Sequence, residues 1–386
     1  MHRQVNDMTK ENTLRRGILT KGVGGLYTVM PLDDTDEVLC RARGKFRLDG
    51  MTPLPGDVVQ ILPTAQMDPE ETEAVTGTVT VAVTESVTAA VAETDITTTD
   101  VQYVIREIEP RQNTLIRPPM ANLTHIFVVL PCAEPAPDLL MADKLTAIAV
   151  NSGVRPVMVV NKADIAPDMG QKLTEIYTKA GFPVFLVSAA SGLGVDQLEA
   201  YLAREAAFGE ASGRPMQAAF AGVSAAGKST LMTRLYPHLS LKTNTVSRKI
   251  ERGRHTTRHV QLYPIRTGDH TYYLADTPGF SMLDFTRFNL LPLEELPDAF
   301  PEFADCLGNC RYTKCTHTKE EGCAVLDKLR SGDIAPSRHE NFVAIGEEIR
   351  KKPQWQREKE AEQAEHQPTG QGYRQGGRKT NHRRKR

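Results

Sequence analysis

Residues Gly222-Val-Ser-Ala-Ala-Gly227-Lys228-Ser229-Thr230 stand between the apolar run QAAFA and the helical stretch LMTRLY. The string G-x-x-x-x-G-K-[ST] between a strand and a helix constrains this chain more than any other feature. It calls for a phosphate-binding loop at the carboxyl end of a strand, with a helix starting on it. Backbone N–H groups from Gly222, Val223, Ser224, Ala225, Ala226 and Gly227 through to Thr230 would wrap the phosphates at the helix N-terminus. Lys228 would reach the β- and γ-phosphates, and the Ser229 hydroxyl would ligate Mg²⁺.

The surrounding sequence supplies the sheet this loop needs. From Thr124 to Phe285, apolar strands alternate with amphipathic helices: HIFVVL, RPVMVVN, FPVFLVS, MQAAFAG and TYYLADT are buried-strand candidates. DLLMADKLTAIAV and DQLEAYLAREAA are helices between them. That alternation predicts a mostly parallel sheet covered on both faces.

Three further loops would follow strands of that sheet. Asp276-Thr-Pro-Gly279 ends TYYLA, where the Asp276 carboxylate can hold Mg²⁺ through water and the Gly279 N–H can sense the γ-phosphate. Asn161-Lys162-Ala163-Asp164 follows VMVV. The Asp164 carboxylate can accept from guanine N1–H and N2–H₂, a pair adenine does not offer, while the Lys162 stem covers the base face. Ser188-Ala189-Ala190 after VFLV would give guanine O6 a backbone contact. Together these select GTP over ATP.

Their order is unusual. In Ras-like GTPases the P-loop comes first and the guanine-reading loops last; here residues 161 and 188 precede 222, which precedes 276. Loops on one set of strand ends can keep their site when the chain is cut and rejoined elsewhere. With this order, with PRQNTLIRPPMAN before the sheet and with the Cys/His unit after it, nearly the whole chain resembles the RsgA (YjeQ/YloQ) family. These are circularly permuted GTPases that assist small ribosomal subunit biogenesis. The fold expected is a circularly permuted α/β P-loop GTPase domain with an N-terminal OB-like β-barrel and a C-terminal helical zinc-binding domain. Two features depart from the family pattern: Ala225 stands where a Gly is usual, and the barrel carries a Thr- and acid-rich insertion.

The resemblance also implies a Mg²⁺-binding threonine within Gly253-Arg254-His255-Thr256-Thr257. Thr257 is preferred and Thr256 is the alternative. Ras-like enzymes orient the attacking water with a Gln just after the D-x-x-G motif. Phe280 occupies that place and can neither donate nor accept, so His255 is the internal candidate for the catalytic role beside Lys228.

Cys310-x₄-Cys315-x-His317-x₅-Cys323 gathers three thiolates and one imidazole. A closed set of four such ligands suits one structural, tetrahedral Zn²⁺, and the spacing resembles that of the family. Cys306 reads as a bystander, and Cys40 and Cys132 as buried apolar residues.

Charge is unevenly spread over the 386 residues, although 47 Lys and Arg nearly balance 48 Asp and Glu. That balance excludes a uniformly basic nucleic-acid binder. Short β-type runs from Leu14 to Ile108 predict the barrel, interrupted by residues 66–100, where eight Asp or Glu and ten Thr read as a solvated loop. Within DEVLCRARGKFRL, Arg41, Arg43, Lys45 and Arg47 alternate with smaller or apolar residues, and on one continuous strand they would share a face able to meet RNA. The tail RQGGRKTNHRRKR adds a phosphate-seeking segment.

The domains expected are a barrel at 1–118, the GTPase domain at 119–287, the zinc unit at 288–352 and a disordered basic tail at 353–386. The partners expected are GTP and GDP and the small ribosomal subunit with its rRNA. No membrane span or export signal is read, so a cytoplasmic monomer is expected. The competing reading is a non-catalytic, GTP-dependent RNA-binding scaffold.

Overall fold

The structure is a computed structural model and describes residues 14–43, 46, 51–66, 101–116, 119–237, 260–276 and 291–351. Strands β1 (Arg15–Val23), β2 (Leu26–Pro31), β3 (Val38–Ala42), β4 (Val58–Pro63) and β5 (Tyr103–Ile108) form the first unit. They pair in the order β1-β2-β3-β5-β4, and β4 pairs back onto β1. Among the described residues closure leaves no free edge in this barrel, and the β3–β5 pair is the one parallel contact there. Leu19, Val29, Cys40, Val59, Ile61 and Ile105 fill it and are fully buried.

One expectation fails in the barrel. The run from Arg41 to Arg47 does not form one cationic strand, because β3 ends at Ala42. Arg41 lies in the strand and Arg43 follows it, while Lys45 and Arg47 lie outside the described residues. Beyond the strand, the Phe46 N–H donates back to the Arg43 carbonyl at 3.2 Å, and Phe46 packs against the barrel core.

A hairpin of β6 (Thr114–Ile116) and β7 (Pro119–Ala121) leads to the second unit. There β8 (His125–Pro131), β9 (Arg155–Asn161), β10 (Val184–Leu186), β11 (Gln217–Ala221), β12 (Gln261–Thr267) and β13 (His270–Asp276) stand side by side. Their order is β10-β9-β8-β11-β13-β12. All are parallel except β12, which pairs antiparallel with β13 and, at Lys21↔Gln261, with β1 of the barrel. All five expected strands are present, although the three residues of β10 are only half-buried.

Helices α1 (Leu139–Asn151) and α2 (Pro167–Lys179) cover one face, and α3 (Val195–Ala211) and α4 (Lys228–Leu235) the other. Alternate residues of each strand feed the two faces. Ile126, Val128 and Leu130 join one apolar cluster, and Phe127 and Val129 the other. The barrel is fixed to this sheet through Gly56, whose carbonyl accepts from Gln217 Nε2 at 2.8 Å and from Asn122 Nδ2 at 3.0 Å. Gln217 begins the strand that feeds the phosphate-binding string.

The third unit opens with 3₁₀ turns at Leu293–Glu295 and Pro301–Phe303 and ends with α5 (Ala324–Ser331) and α6 (Pro336–Lys351). Phe300, Phe303 and Phe342 pack with ring centroids 4.9 to 5.4 Å apart. The unit docks on α1 through Arg338, which is 1% exposed. Its guanidinium donates to Asp143 at 2.6 Å and to Glu302 at 2.7 Å, and lies 4.5 Å from the Phe300 ring centre. The Tyr177 hydroxyl and Asn341 amide donate to the same Asp143 carboxylate at 3.0 and 2.7 Å.

Candidate functional site

Because β8, β9, β10, β11 and β13 run parallel, their carboxyl ends form one edge. Asn161 ends β9, Ser188 lies two residues past the end of β10, Gly222 follows β11, and Asp276 ends β13. Loops as far apart in the chain as residues 161 and 226 therefore meet.

Asn161 ties them together. It is 1% exposed, its Nδ2 donates to the Ala226 carbonyl at 2.9 Å, and its Oδ1 accepts from the Ala189 N–H at 3.0 Å. One side chain thus links the expected base-reading loops to the phosphate-binding loop. The Ala163 N–H donates to the Val187 carbonyl at 3.1 Å, which keeps the two base-side loops adjacent. Ser188 is buried, and its Oγ accepts from the Ser191 N–H at 3.1 Å to fold the turn. Lys162 has φ +71° and donates to the Glu134 carbonyl, which fixes its stem. Asp164 is exposed, open to a ligand on the solvent side.

The Gly222–Thr230 segment has the backbone its sequence requires. Gly227 has φ +92°, and a Cβ there would stand 2.3 Å from Asn161 Nδ2. Gly222 is equally confined, since its Cβ would meet the Val129 carbonyl oxygen at 2.3 Å. Ala225 has φ +61°, a left-handed conformation that costs an L-residue about 1–2 kcal/mol. The departure from the family's glycine therefore falls on a position where glycine has a physical advantage. Val223, Ser224 and Ala226 complete the loop, and Ser229 and Thr230 are exposed at the start of α4. Lys228 donates to the Gly222 and Val223 carbonyls at 2.7 and 2.8 Å. Burial holds its ammonium below the usual lysine range. The helix N-terminus and this cation make the edge attractive to phosphate.

Asp276 sits at the end of β13, opposite Gln261. His255, Thr256, Thr257, Gly279 and Phe280 lie outside the described residues. Sequence reasoning missed Arg234, whose guanidinium donates to the Ala189 and Ala190 carbonyls. A cation in the last turn of a helix is so common that nothing in the string singles it out.

The second candidate site lies in the third unit. Ligand atoms of Cys310, Cys315, His317 and Cys323 all lie within 4.8 Å of one another. The Sγ atoms of Cys310 and Cys323 are 3.9 Å apart, and each is 3.5 Å from His317 Nδ1. Two thiolates bound at about 2.3 Å to a tetrahedral ion lie about 3.8 Å apart, so the donors fit such an ion without rearrangement. The His317 carbonyl lies 2.7 Å from His339 Nε2, which anchors the ligand loop on α6. Cys306, Cys40 and Cys132 are buried outside the cluster.

The chain is similar to known proteins over most of its length. Residues 108–286 match the family described as RsgA GTPase, and residues 16–68 match the RsgA N-terminal domain. A small ribosomal subunit biogenesis GTPase RsgA of Ruminiclostridium cellulolyticum is 30% identical over 346 residues, 90% of this chain and 97% of that protein. The protein of the same name from a Geobacillus species is 35% identical over 347 residues, 89% of this chain and all of its own length. Among solved structures, YjeQ from Thermotoga maritima superposes with a TM-score of 0.65 at 28% identity, covering 88% of this chain and all of that one. YloQ, described as a circularly permuted GTPase, gives 0.63 at 26% identity, covering 90% of this chain and 99% of its own.

Proposed function

The chain belongs to the RsgA family of GTP hydrolases, and from that premise we propose that it binds the small ribosomal subunit, assists its late maturation and hydrolyses GTP to GDP and phosphate with ribosome stimulation. The observation that carries this reading is Asn161, which joins the loops expected to read guanine to the loop expected to hold phosphate.

In this reading Asn161, Lys162, Ala163 and Asp164 with Ser188 and Ala189 hold the base, and Gly222 through Thr230 hold the phosphates. Lys228 balances charge on the transferring phosphoryl group. Ser229, Thr257 or Thr256, and Asp276 through water would hold Mg²⁺, which when bound neutralises phosphate charge. Gly279 would sense the γ-phosphate, and His255 would position water where Phe280 offers no polar group. Cys310, Cys315, His317 and Cys323 would hold one structural Zn²⁺, leaving no open position for chemistry.

Arg41, Arg43, Lys45 and Arg47, with the basic tail, are the proposed rRNA contacts. The barrel to residue 118, the GTPase domain at 119–287, the zinc unit at 288–352 and the tail would act as one cytoplasmic monomer on the subunit. No helix among the described residues is long and apolar enough to cross a membrane.

Hydrolysis measured with and without purified small subunits tests the reading. Turnover should be slow alone and rise on the subunit, and His255→Ala should lower the stimulated rate roughly 10²-fold while GTP affinity changes only a few-fold. Equal turnover with and without subunits would contradict the proposed partner.

A further inference from the structure

We propose that Arg234 is the positioning residue of the guanine-reading turn, holding from the phosphate side of the site the peptide planes that face guanine O6. The inference rests on the reading of Asp164 and Ser188–Ala190 as the base site. Arg234 stands in the last turn of α4, the helix that begins at Lys228. Its Nε donates to the Ala189 carbonyl at 2.6 Å and its Nη2 to the Ala190 carbonyl at 2.6 Å. A planar guanidinium that meets two successive carbonyls fixes both peptide units at once, which a lysine's point charge would not do.

The turn is built around that fork. Gly192 has φ +93°, and a Cβ there would lie 2.9 Å from Arg234 Nη1. The turn's remaining tethers are internal or come from the base side. The Ala189 N–H donates to Asn161 Oδ1, the Ser191 N–H to Ser188 Oγ, and the Gly192 N–H to the Ser188 carbonyl at 2.8 Å. Of these, the Ser191 N–H shares its peptide unit with the Ala190 carbonyl that Arg234 holds, and among the described residues Arg234 alone holds the Ala189 carbonyl of the unit before it.

A bland role fits less well. Arg234 is exposed, and among the described residues no carboxylate pairs with it. Its two short contacts are both to backbone oxygens of the one turn expected to touch the base. The Ala189 carbonyl shares its peptide unit with the Ala190 N–H, so a charged donor on that carbonyl polarises this N–H and makes it a better donor to an acceptor such as O6. A contact made by the helix behind the phosphate-binding loop therefore tunes recognition of the base.

The test compares equilibrium affinities of the full chain and its Arg234→Ala variant for GTP, ITP and 6-thio-GTP. ITP lacks only the N2 amine, which reports on Asp164; 6-thio-GTP alters only O6, which reports on the turn. Arg234→Ala should weaken GTP about tenfold, the scale of losing charge-assisted donors. Its preference for GTP over 6-thio-GTP should shrink several-fold, while its preference for GTP over ITP stays as in the parent. Arg234→Gln, which keeps one planar donor, should recover part of the lost preference. Unchanged GTP affinity would overturn the inference, and so would an equal loss for all three nucleotides. Asp164→Asn separates the two levels: if it leaves the GTP-over-ITP preference intact, the base-site reading itself fails, whatever Arg234 does.

Discussion

The nucleotide edge is held by a sheet whose two faces bury separate apolar clusters, with α1 and α2 on one side and α3 and α4 on the other. The Cys/His unit instead rests on short turns, two helices, one modest cluster around Phe300, Phe303 and Phe342, and four ligand atoms gathered within 4.8 Å. The first site is assembled from strand neighbours, so it tolerates a chain cut and rejoined in another order. The second is assembled from ligands within fourteen residues, Cys310 to Cys323, so it depends on local sequence and on an ion. The difference teaches that these two halves should fail independently.

Removing the ion should give the largest effect. Structural zinc sites in small peptides contribute roughly 10–16 kcal/mol, so stripping the metal with a chelator should unfold the region around Cys310–Cys323. Limited proteolysis should then cut in the third unit while GTP affinity holds. Loss of nucleotide binding together with the metal would break the comparison.

Next in size is the joint between the two regions. Arg338→Ala would leave Asp143 and Glu302 buried without their cation, and removing one partner of such a group costs about 3–5 kcal/mol. Hydrogen exchange should show α6 opening far more readily, with β8 and β9 still protected. Equal loss of protection in the sheet would mean that the two regions share one cooperative core.

Acid should sharpen the contrast from the other side. Burial, reinforced by the Arg155 charge and opposed by Glu205, holds His125 near a pKa of about 4, against 6.5 for a free histidine. The unfolded chain therefore binds the extra proton first. Stability from this group is present in full above about 6.5 and is lost as pH falls from there toward 4, on the order of 3 kcal/mol in all. Thermal melts of His125→Gln against the parent should show a flatter acid limb in that window. Identical limbs would show that His125 carries no such linkage.

The smallest effect is expected at Ala225. Glycine relieves the strain of its φ +61°, but adds freedom to the unfolded chain that offsets part of the gain. Ala225→Gly should change stability by under about 1 kcal/mol and tighten GTP binding by a few-fold at most. A calorimetric titration that found weaker binding would show that the alanine methyl itself supports the loop.

Much of this was readable in the sequence because the signals were redundant. Each loop expected to hold nucleotide came after its own apolar run, so β9, β10, β11 and β13 could be placed from those runs, and β8 from another. The four candidate metal ligands were legible from their residue types and from a spacing that resembles the family's. The alternation from Arg41 to Arg47 misled, because a period of two states which face a side chain takes while a strand lasts, and says nothing about where the strand ends. Here it ends at Ala42, and Phe46 packs against the barrel core instead of continuing it. Arg234 and the strain at Ala225 were hidden for another reason: a helix-terminal arginine and an alanine carry no mark of the carbonyls or the φ they will meet.

The central claim is that residues 161–164, far upstream of the phosphate-binding loop in the chain, form one nucleotide site with it. Relative affinity of Asp164→Asn for GTP and xanthosine triphosphate tests this most directly, because xanthine carries an oxygen at the position of guanine's amine. The account predicts that GTP weakens by roughly 1–3 kcal/mol while xanthosine triphosphate gains on it. Unchanged affinity for both nucleotides would contradict the account, since the base would then be read elsewhere.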